Sequence, residues 1–339
     1  EMAMQVLGDG MSSRLSRALV TNADPLCVSA DAAVQELEDG GIMGATAMLL
    51  EGKDVGAVEK VMREQIKLLR DTAVSPEELE KAKQQQRLAL ATRFETAEQV
   101  TGDLGETLEE YGSLERVKTA RARLEALTAA DVQRAAQRFL TEEQSNLLVI
   151  KPGTPASAAT QAAATQTAAT TEPVATAEAK VVQFPADYPT SAPMAGKLPT
   201  ATFAKGVESV VQGVKVIVME DHRQPTIDWS LTMRMGSYAE PAGKEGLGAL
   251  TAAMVRRGPK GKTFDQFNEE LESRGISLDA SDGGDNTAIS GNCLTEQFGT
   301  AMAATRAMLL QPAFDADEFA RLKAQSIDGL KNALMTNSA

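Results

Sequence analysis

Thr226-Ile227-Asp228-Trp229-Ser230-Leu231-Thr232-Met233-Arg234-Met235 alternates apolar and polar side chains and runs straight into Gly236-Ser237-Tyr238-Ala239-Glu240. A period of two sends successive side chains to opposite faces, so the segment predicts a half-buried β-strand. Residues 206–219 alternate in the same way. Joined through Glu220-Asp221-His222-Arg223, they predict a hairpin with the strand at 226–235. Lys244-Glu245-Gly246-Leu247-Gly248 then opens a helix over 245–257, and Thr263-Phe264-Asp265-Gln266 caps a second helix reaching Arg274. Strands are expected at 276–280 and 287–293 around the turn 281–286. Helices at 295–310 and 315–334, the latter opened by Asp315-Ala316-Asp317-Glu318, close the chain.

The first part of the chain has the same mixture. Residues 11–20 predict a short helix, 27–35 and 42–50 two strands, and 146–150 a last strand before Pro152. Three helices are expected between them. One carries Val58, Val61, Met62, Ile66 and Leu69 at helical spacing. Another starts at Ser75-Pro76-Glu77-Glu78, with an N-cap, a proline in the first turn and a capping-box glutamate, and a third starts at Thr128-Ala129-Ala130-Asp131. Between the two parts, Ala, Thr, Pro, Ser and Gln dominate, as in Thr154-Pro155-Ala156-Ser157 and Ala162-Ala163-Ala164-Thr165. Such a composition buries too little apolar surface to offset its ordering entropy. It reads as a linker over 152–197, laid over a surface near Phe184 and Tyr188. The fold class expected is therefore α+β. Two similar domains, 1–151 and 198–339, each have a mostly antiparallel sheet with helices on one side.

Composition narrows the function classes. Of the 339 residues, 43% are hydrophobic and 24% charged, which is ordinary for globular protein, and length alone suggests about two domains. With aromatics at only 4%, Leu, Val, Ala and Met must fill the cores. A net charge of −13 opposes binding to phosphate backbones, so no nucleic-acid partner is expected. Nor does any run reach the roughly eighteen apolar residues of a membrane span. Cys27 and Cys293 lie far apart on either side of the linker and read as buried free thiols rather than a disulfide framework.

Two stretches on opposite sides of the linker carry a family resemblance. Gly236 to Glu240 followed by Lys244 to Gly248, in the order strand, turn, helix, resembles the N-terminal domain of pitrilysin/insulinase-type zinc metallopeptidases, a family that includes the mitochondrial processing peptidases. Leu7-Gly8-Asp9-Gly10-Met11-Ser12-Ser13-Arg14-Leu15 is similar to the Gly-x-Gly-Met-Ser-Ser-Arg-Leu stretch of the family's later domain. With the element order, the likeness extends over nearly all of the chain except the linker. It implies an internal piece of a longer protein: 1–151 as the closing domain of one peptidase half, 198–339 as the opening domain of a second.

The family's chemistry rests on His-x-x-Glu-His on a helix, where two imidazoles one turn apart hold zinc and the glutamate activates the metal-bound water. A glutamate on a later helix completes the metal shell. By the resemblance, this motif falls where the sequence has Ala249-Leu250-Thr251-Ala252-Ala253-Met254. Ala249 and Ala253 then stand at the histidine positions, Ala252 at that of the base, and Gly329 or a neighbour at that of the later glutamate. The partner half of such enzymes supplies an Arg and a Tyr that orient the substrate backbone, and here the matching places are Val20 and Cys27. No catalytic, metal-binding or substrate-binding residue is thus expected in this chain. Zinc is expected in an N-terminal domain outside it, and peptide or unfolded protein as the substrate of the whole. The alternative is a catalytically dead scaffold that binds a partner within a peptidase-like complex. The expected compartment is periplasmic or secreted.

Other signals have plainer readings. The single histidine, His222, sits in an expected turn, and one imidazole does not build a site of this type. Asp282-Gly283-Gly284-Asp285-Asn286 lacks the alternating ligands and distal glutamate of an EF-hand and reads as a strand connection. Acidic runs such as 77–80 and 106–110 read as solvated helix faces, with an acidic chamber for basic peptides as the sharper alternative. Gly8-Asp9-Gly10 reads as a tight turn, and the methionines as core.

Overall fold

A computed structural model describes residues 1–37, 40–151 and 205–337. The linker at 152–197, with Phe184 and Tyr188, lies outside the described residues. The architecture is α+β, and the chain forms two compact units, Glu1–Leu148 with His222–Ser338, and Val149–Asp221.

In the first unit, the leading segment runs α1 (Met2–Gly8), α2 (Arg14–Leu19), β1 (Cys27–Leu37), β2 (Gly40–Leu49), α3 (Val55–Asp71), α4 (Pro76–Thr92), α5 (Ala97–Tyr111), α6 (Glu115–Ala126) and α7 (Ala129–Phe139). Strands β1 and β2 are antiparallel, with Ala30 opposite Ala47 and Val34 opposite Met43. One face of this pair, with Ala30, Ala32, Val34, Met43, Ala45 and Ala47, packs into a core made by Leu7, Leu15, Leu19, Leu69 and Ala136. The capping chemistry expected at Ser75 is present: its hydroxyl accepts from the Glu78 amide while the Glu78 carboxylate accepts from the Ser75 amide. Thr128 and Asp131 do the same for α7.

Three expectations for this segment are corrected. Helices α5 and α6 arise within 97–126, so that five helices form between β2 and residue 146, where three had been expected. That stretch hides its period because the described buried side chains are only Thr107 in α5 and Leu124 in α6. The helix expected over 11–20 begins at Arg14, after a separate α1, because Gly10 at φ 86° breaks the chain between them. Residues 146–150 form no strand. Leu148 and Ile150 are 81% and 85% exposed, so the alternation there has no partner strand among the described residues.

The second segment of this unit runs β5 (Thr226–Met233), α8 (Leu247–Arg256), α9 (Phe264–Glu272), β6 (Ser277–Asp282), β7 (Thr287–Leu294), α10 (Phe298–Leu310) and α11 (Ala316–Asn337), β3 and β4 belonging to the other unit. The sheet order is β5-β7-β6, antiparallel throughout, with Trp229 opposite Gly291 and Leu231 opposite Ile289. Its inner face buries Leu278, Ala280, Ile289 and Cys293 against Phe267, Leu271, Ala301 and Met308. Gly291 is needed at the centre, since a Cβ there would lie 2.1 Å from the Trp229 ring.

The other unit contributes a hairpin of β3 (Val207–Val211) and β4 (Val214–Val218). The stretch 206–219, expected as a single strand paired with 226–235, instead folds on itself, and β5 pairs with β7. The cause is Gln212-Gly213, both at positive φ (50° and 84°), a two-residue turn whose twist matches the strands it joins.

Candidate functional site

The positions that the resemblance assigns to the metal motif, 249–253, lie on helix α8. Glu240 positions it: the carboxylate accepts from the amides of Gly246 (2.8 Å) and Gly248 (2.5 Å), satisfying donors that the first turn of a helix leaves over. A Cβ at Gly248 would lie 2.3 Å from an Asp282 carboxylate oxygen, and one at Gly236 would lie 2.2 Å from the Gly284 carbonyl. The glycines of this stretch therefore let the turn before α8 press against the β6–β7 connection. In that connection the Gly284 amide donates to Asp282 and the Gly283 amide to the Asn286 carbonyl.

On α8, Ala249 is exposed, Ala253 half-buried and Ala252 buried. The spacing of four puts Ala249 and Ala253 on one helix face. Methyl groups donate no electron pair to a metal and accept no proton, so these positions do not fit zinc or the activation of its water. Gly329 is half-buried on α11, with open space where its Cβ would stand. No group of three or more His, Cys, Asp or Glu side chains among the described residues is placed to hold a metal ion. His222 is exposed in a turn.

Two arginines at the end of α8 carry weight that only the fold reveals. Arg256 donates to the Leu278 carbonyl (2.6 Å) and to Asn268 Oδ1 (2.8 Å), and burial lowers its pKa, partly offset by Glu272 and Asp279. Arg257 lies over the Phe264 ring at 4.1 Å and faces Glu318 and Gln325 of α11. Together they fasten α8 to β6, α9 and α11.

The Gly-Asp-Gly-Met-Ser-Ser-Arg-Leu stretch also ends on a carboxylate. Glu272, at the end of α9, accepts from the Met11 amide (2.8 Å), the Ser12 amide (3.2 Å) and the Ser12 hydroxyl. Lys81 of α4, buried, donates to the Ser12 carbonyl (3.0 Å), the Ser12 hydroxyl (2.9 Å) and Glu269 (3.2 Å). Arg14 holds Glu78 through two hydrogen bonds, and Arg17 pairs with Glu269. Gly10 has φ 86°, and a Cβ there would lie 2.8 Å from the Glu272 carboxylate. Gly8 packs against the backbone of Ala32, a Cβ there standing 2.2 Å from the Ala32 nitrogen. Burial pushes the Glu272 carboxyl above its ordinary value, opposed by the Ser12 hydrogen bond and the charge of Lys81. With Ser12 only 2% exposed, the Ser12–Lys81 contact is a joint between segments rather than a nucleophile open to substrate.

Val20 closes α2 and Cys27 opens β1, both buried in the first core. Burial pushes the Cys27 thiol up to about 11. Burial, and then Asp228, do the same to Cys293. Both are inert thiols by this measure.

The outer faces of the β1-β2 and β5-β7-β6 sheets are open surfaces. On β5-β7-β6 this face carries Asp228, Ser230, Ser277, Asp279, Ser290 and Asn292 around a shallow depression of about 500 Å³. On β1-β2 it carries Asp31, Ala33 and Gln35 opposite Thr46, Gly44 and Ile42. The outer face of β5-β7-β6 carries small side chains, whereas that of β1-β2 also exposes Ile42 and Met48.

The fold is α+β, with antiparallel strands and helices in both segments. Residues 215–333 match the family model for insulinase (peptidase family M16), and residues 1–86 match that for the peptidase M16 inactive domain. The chain belongs to the insulinase-type (M16) peptidase family. No curated protein matches it. Among solved structures, it is similar to the inactive peptidase domain of a Bordetella parapertussis protein, at 25% identity, covering 45% of this chain and 83% of that one with a TM-score of 0.40. It is also similar to a peptidase M16 inactive domain from Pseudomonas fluorescens, at 24% identity, 38% and 32% coverage and a TM-score of 0.36. A third is the ferredoxin protease FusC, as a mutant in complex with Arabidopsis ferredoxin, at 17% identity, 98% and 39% coverage and a TM-score of 0.38. This chain thus spans well under half the length of the last two.

Proposed function

We propose that this chain is a non-catalytic portion of a zinc-dependent metalloendopeptidase that acts on peptides or unfolded segments, and that its outer sheet faces form part of the wall enclosing them. Residues 1–151 serve as the closing domain of one half and 198–339 as the opening domain of another, with zinc held by a domain outside these 339 residues. The observation that supports the reading is that α8 is a helix carrying Ala249, Ala252 and Ala253 at the positions the resemblance assigns to ligands and base. The open outer face of β5-β7-β6, with Ser230, Ser277 and Ser290, supports the enclosing role, since an extended peptide lies on small side chains without displacing them.

The test is metal content by plasma mass spectrometry with cleavage of a quenched fluorescent peptide library. The purified chain is expected to hold no zinc above background and to cleave nothing. A second arm installs Ala249→His, Ala252→Glu, Ala253→His and Gly329→Glu together, and this variant is expected to take up zinc. Stoichiometric zinc in the unaltered chain, with cleavage abolished by a chelator, refutes the reading.

A further inference from the structure

Helix α5 (Ala97–Tyr111) stands apart from the other elements of the leading segment. Each of α1 to α4, α6, α7, β1 and β2 sends at least one side chain into the first core or against it. Among the described residues no α5 side chain does so, and Thr107 is the one that α5 buries.

The sequence of α5 also weakens it as a helix. Gly102 and Gly105 lie in its interior, and a Cβ at either would meet nothing within 4 Å, so packing does not require them. Each glycine lowers the helix–coil equilibrium by about five-fold relative to alanine. Glu106 precedes Glu109 and Glu110 by three and four residues, a spacing at which like charges repel along a helix. Glu109 and Glu110 also fall in the last turn, where the helix dipole disfavours anions. Arg116 and Arg123 of α6 lie on the same groove as these glutamates, yet neither is ion-paired with them among the described residues. The start of α5 is better held. Thr96 and Gln99 form a capping box, and Arg93, at the end of α4, pairs with Asp103. Beyond Tyr111 the chain turns at Gly112, with φ 62°.

One wall of a groove of about 1530 Å³ is formed by α5, through Glu106, Thr107, Glu110 and Tyr111. Facing walls include Met4 of α1, Leu124 of α6 and Val132 of α7, all buried with α5 in place. We propose that residues 102–112 form a flap that unwinds and re-forms while the rest of the leading segment stays folded, uncovering the apolar walls of this groove. Segments with few buried contacts and weak local order open at far lower cost than the whole domain. The Thr96–Gln99 cap anchors the flap at one end, and the Arg93–Asp103 pair is its latch. The device is independent of any catalytic reading of α8.

The test is native-state amide hydrogen exchange of the full chain, resolved peptide by peptide in a mass spectrometer. Helix α5 is expected to exchange at least about a hundred-fold faster than α7. The Gly102→Ala/Gly105→Ala variant should slow α5 at least about ten-fold and leave α7 within about two-fold. Arg93→Ala should speed α5 by about three-fold. Gly299→Ala in α10, equally free of neighbours, should leave α5 unchanged. A second readout is Thr107→Cys, labelled with iodoacetamide against the buried Cys27 and Cys293. Its labelling should slow at least about ten-fold once the two alanines are added. Equal exchange in α5 and α7, equal slowing of both by the two alanines, no acceleration in Arg93→Ala, an effect of Gly299→Ala on α5, or labelling indifferent to the alanines would each overturn the proposal.

Discussion

Replacing Glu272 with alanine tests the joint between the two segments of the larger unit. The substitution takes the acceptor from the Met11 amide, the Ser12 amide and the Ser12 hydroxyl together, and leaves Lys81 with Glu269 as its remaining carboxylate. A buried donor without a partner costs about 1–3 kcal/mol, and Met11, only half-buried, can recover its loss through water. Counting Ser12 and the weakened pairing of Lys81, the expected destabilisation is about 3–5 kcal/mol. That is a large share of the ~5–15 kcal/mol that holds a typical domain. Glu272→Gln keeps an acceptor for the two amides and should cost about 1–2 kcal/mol. Urea unfolding followed in parallel by far-ultraviolet circular dichroism and by Trp229, the single tryptophan, measures both effects. In the parent the two probes should report one transition. In Glu272→Ala the Trp229 transition should separate from the helical one. A loss below about 1 kcal/mol, with the probes still coincident, would refute the claim that this carboxylate joins α9 to the start of α2.

Glu272 also predicts a pH dependence. Its folded value lies above the ordinary 4.5, so its contribution is complete below that pH and is lost as pH rises through the folded value. The melting temperature of the parent relative to Glu272→Gln should therefore fall as pH rises above 4.5, and a constant difference would contradict the assignment. Gly291→Ala places a Cβ 2.1 Å from the Trp229 ring and should cost about 1–3 kcal/mol or more through overpacking, with a red-shifted Trp229 emission as the readout. Cys27 and Cys293, with thiols near 11, should resist Ellman's reagent at pH 8 in the folded chain and react fully in denaturant.

Much of the element order was legible because local chemistry decides it. Ser75 and Thr263 announce helices through capping boxes that form as written, and the alternation from Thr226 to Met233 gives a strand with one face in the core. Pairing was less legible, since the choice of β7 rather than β4 as the partner of β5 depends on residues sixty positions away. Only the Gln212-Gly213 turn, once weighed, would have revealed the hairpin over 207–218. Helices α5 and α6 bury too little to show a period. At the site, the alanines of α8 could be read directly. The weight carried by Lys81, Glu272 and Arg256 could not, because a charged residue in a helix reads as solvated until the fold brings a distant partner to it.

The span between Ser12 and Glu272 bears on how the chain is made. At about 5–20 residues per second, a ribosome needs roughly 15–50 seconds after placing Ser12 to reach position 272. During that interval the nascent start of α2 has water in place of its carboxylate cap, and Lys81 lacks both acidic neighbours. The leading segment must keep itself out of aggregates over that time, which makes its early, helix-rich contacts the part of the molecule most exposed to the quality-control machinery of the cell.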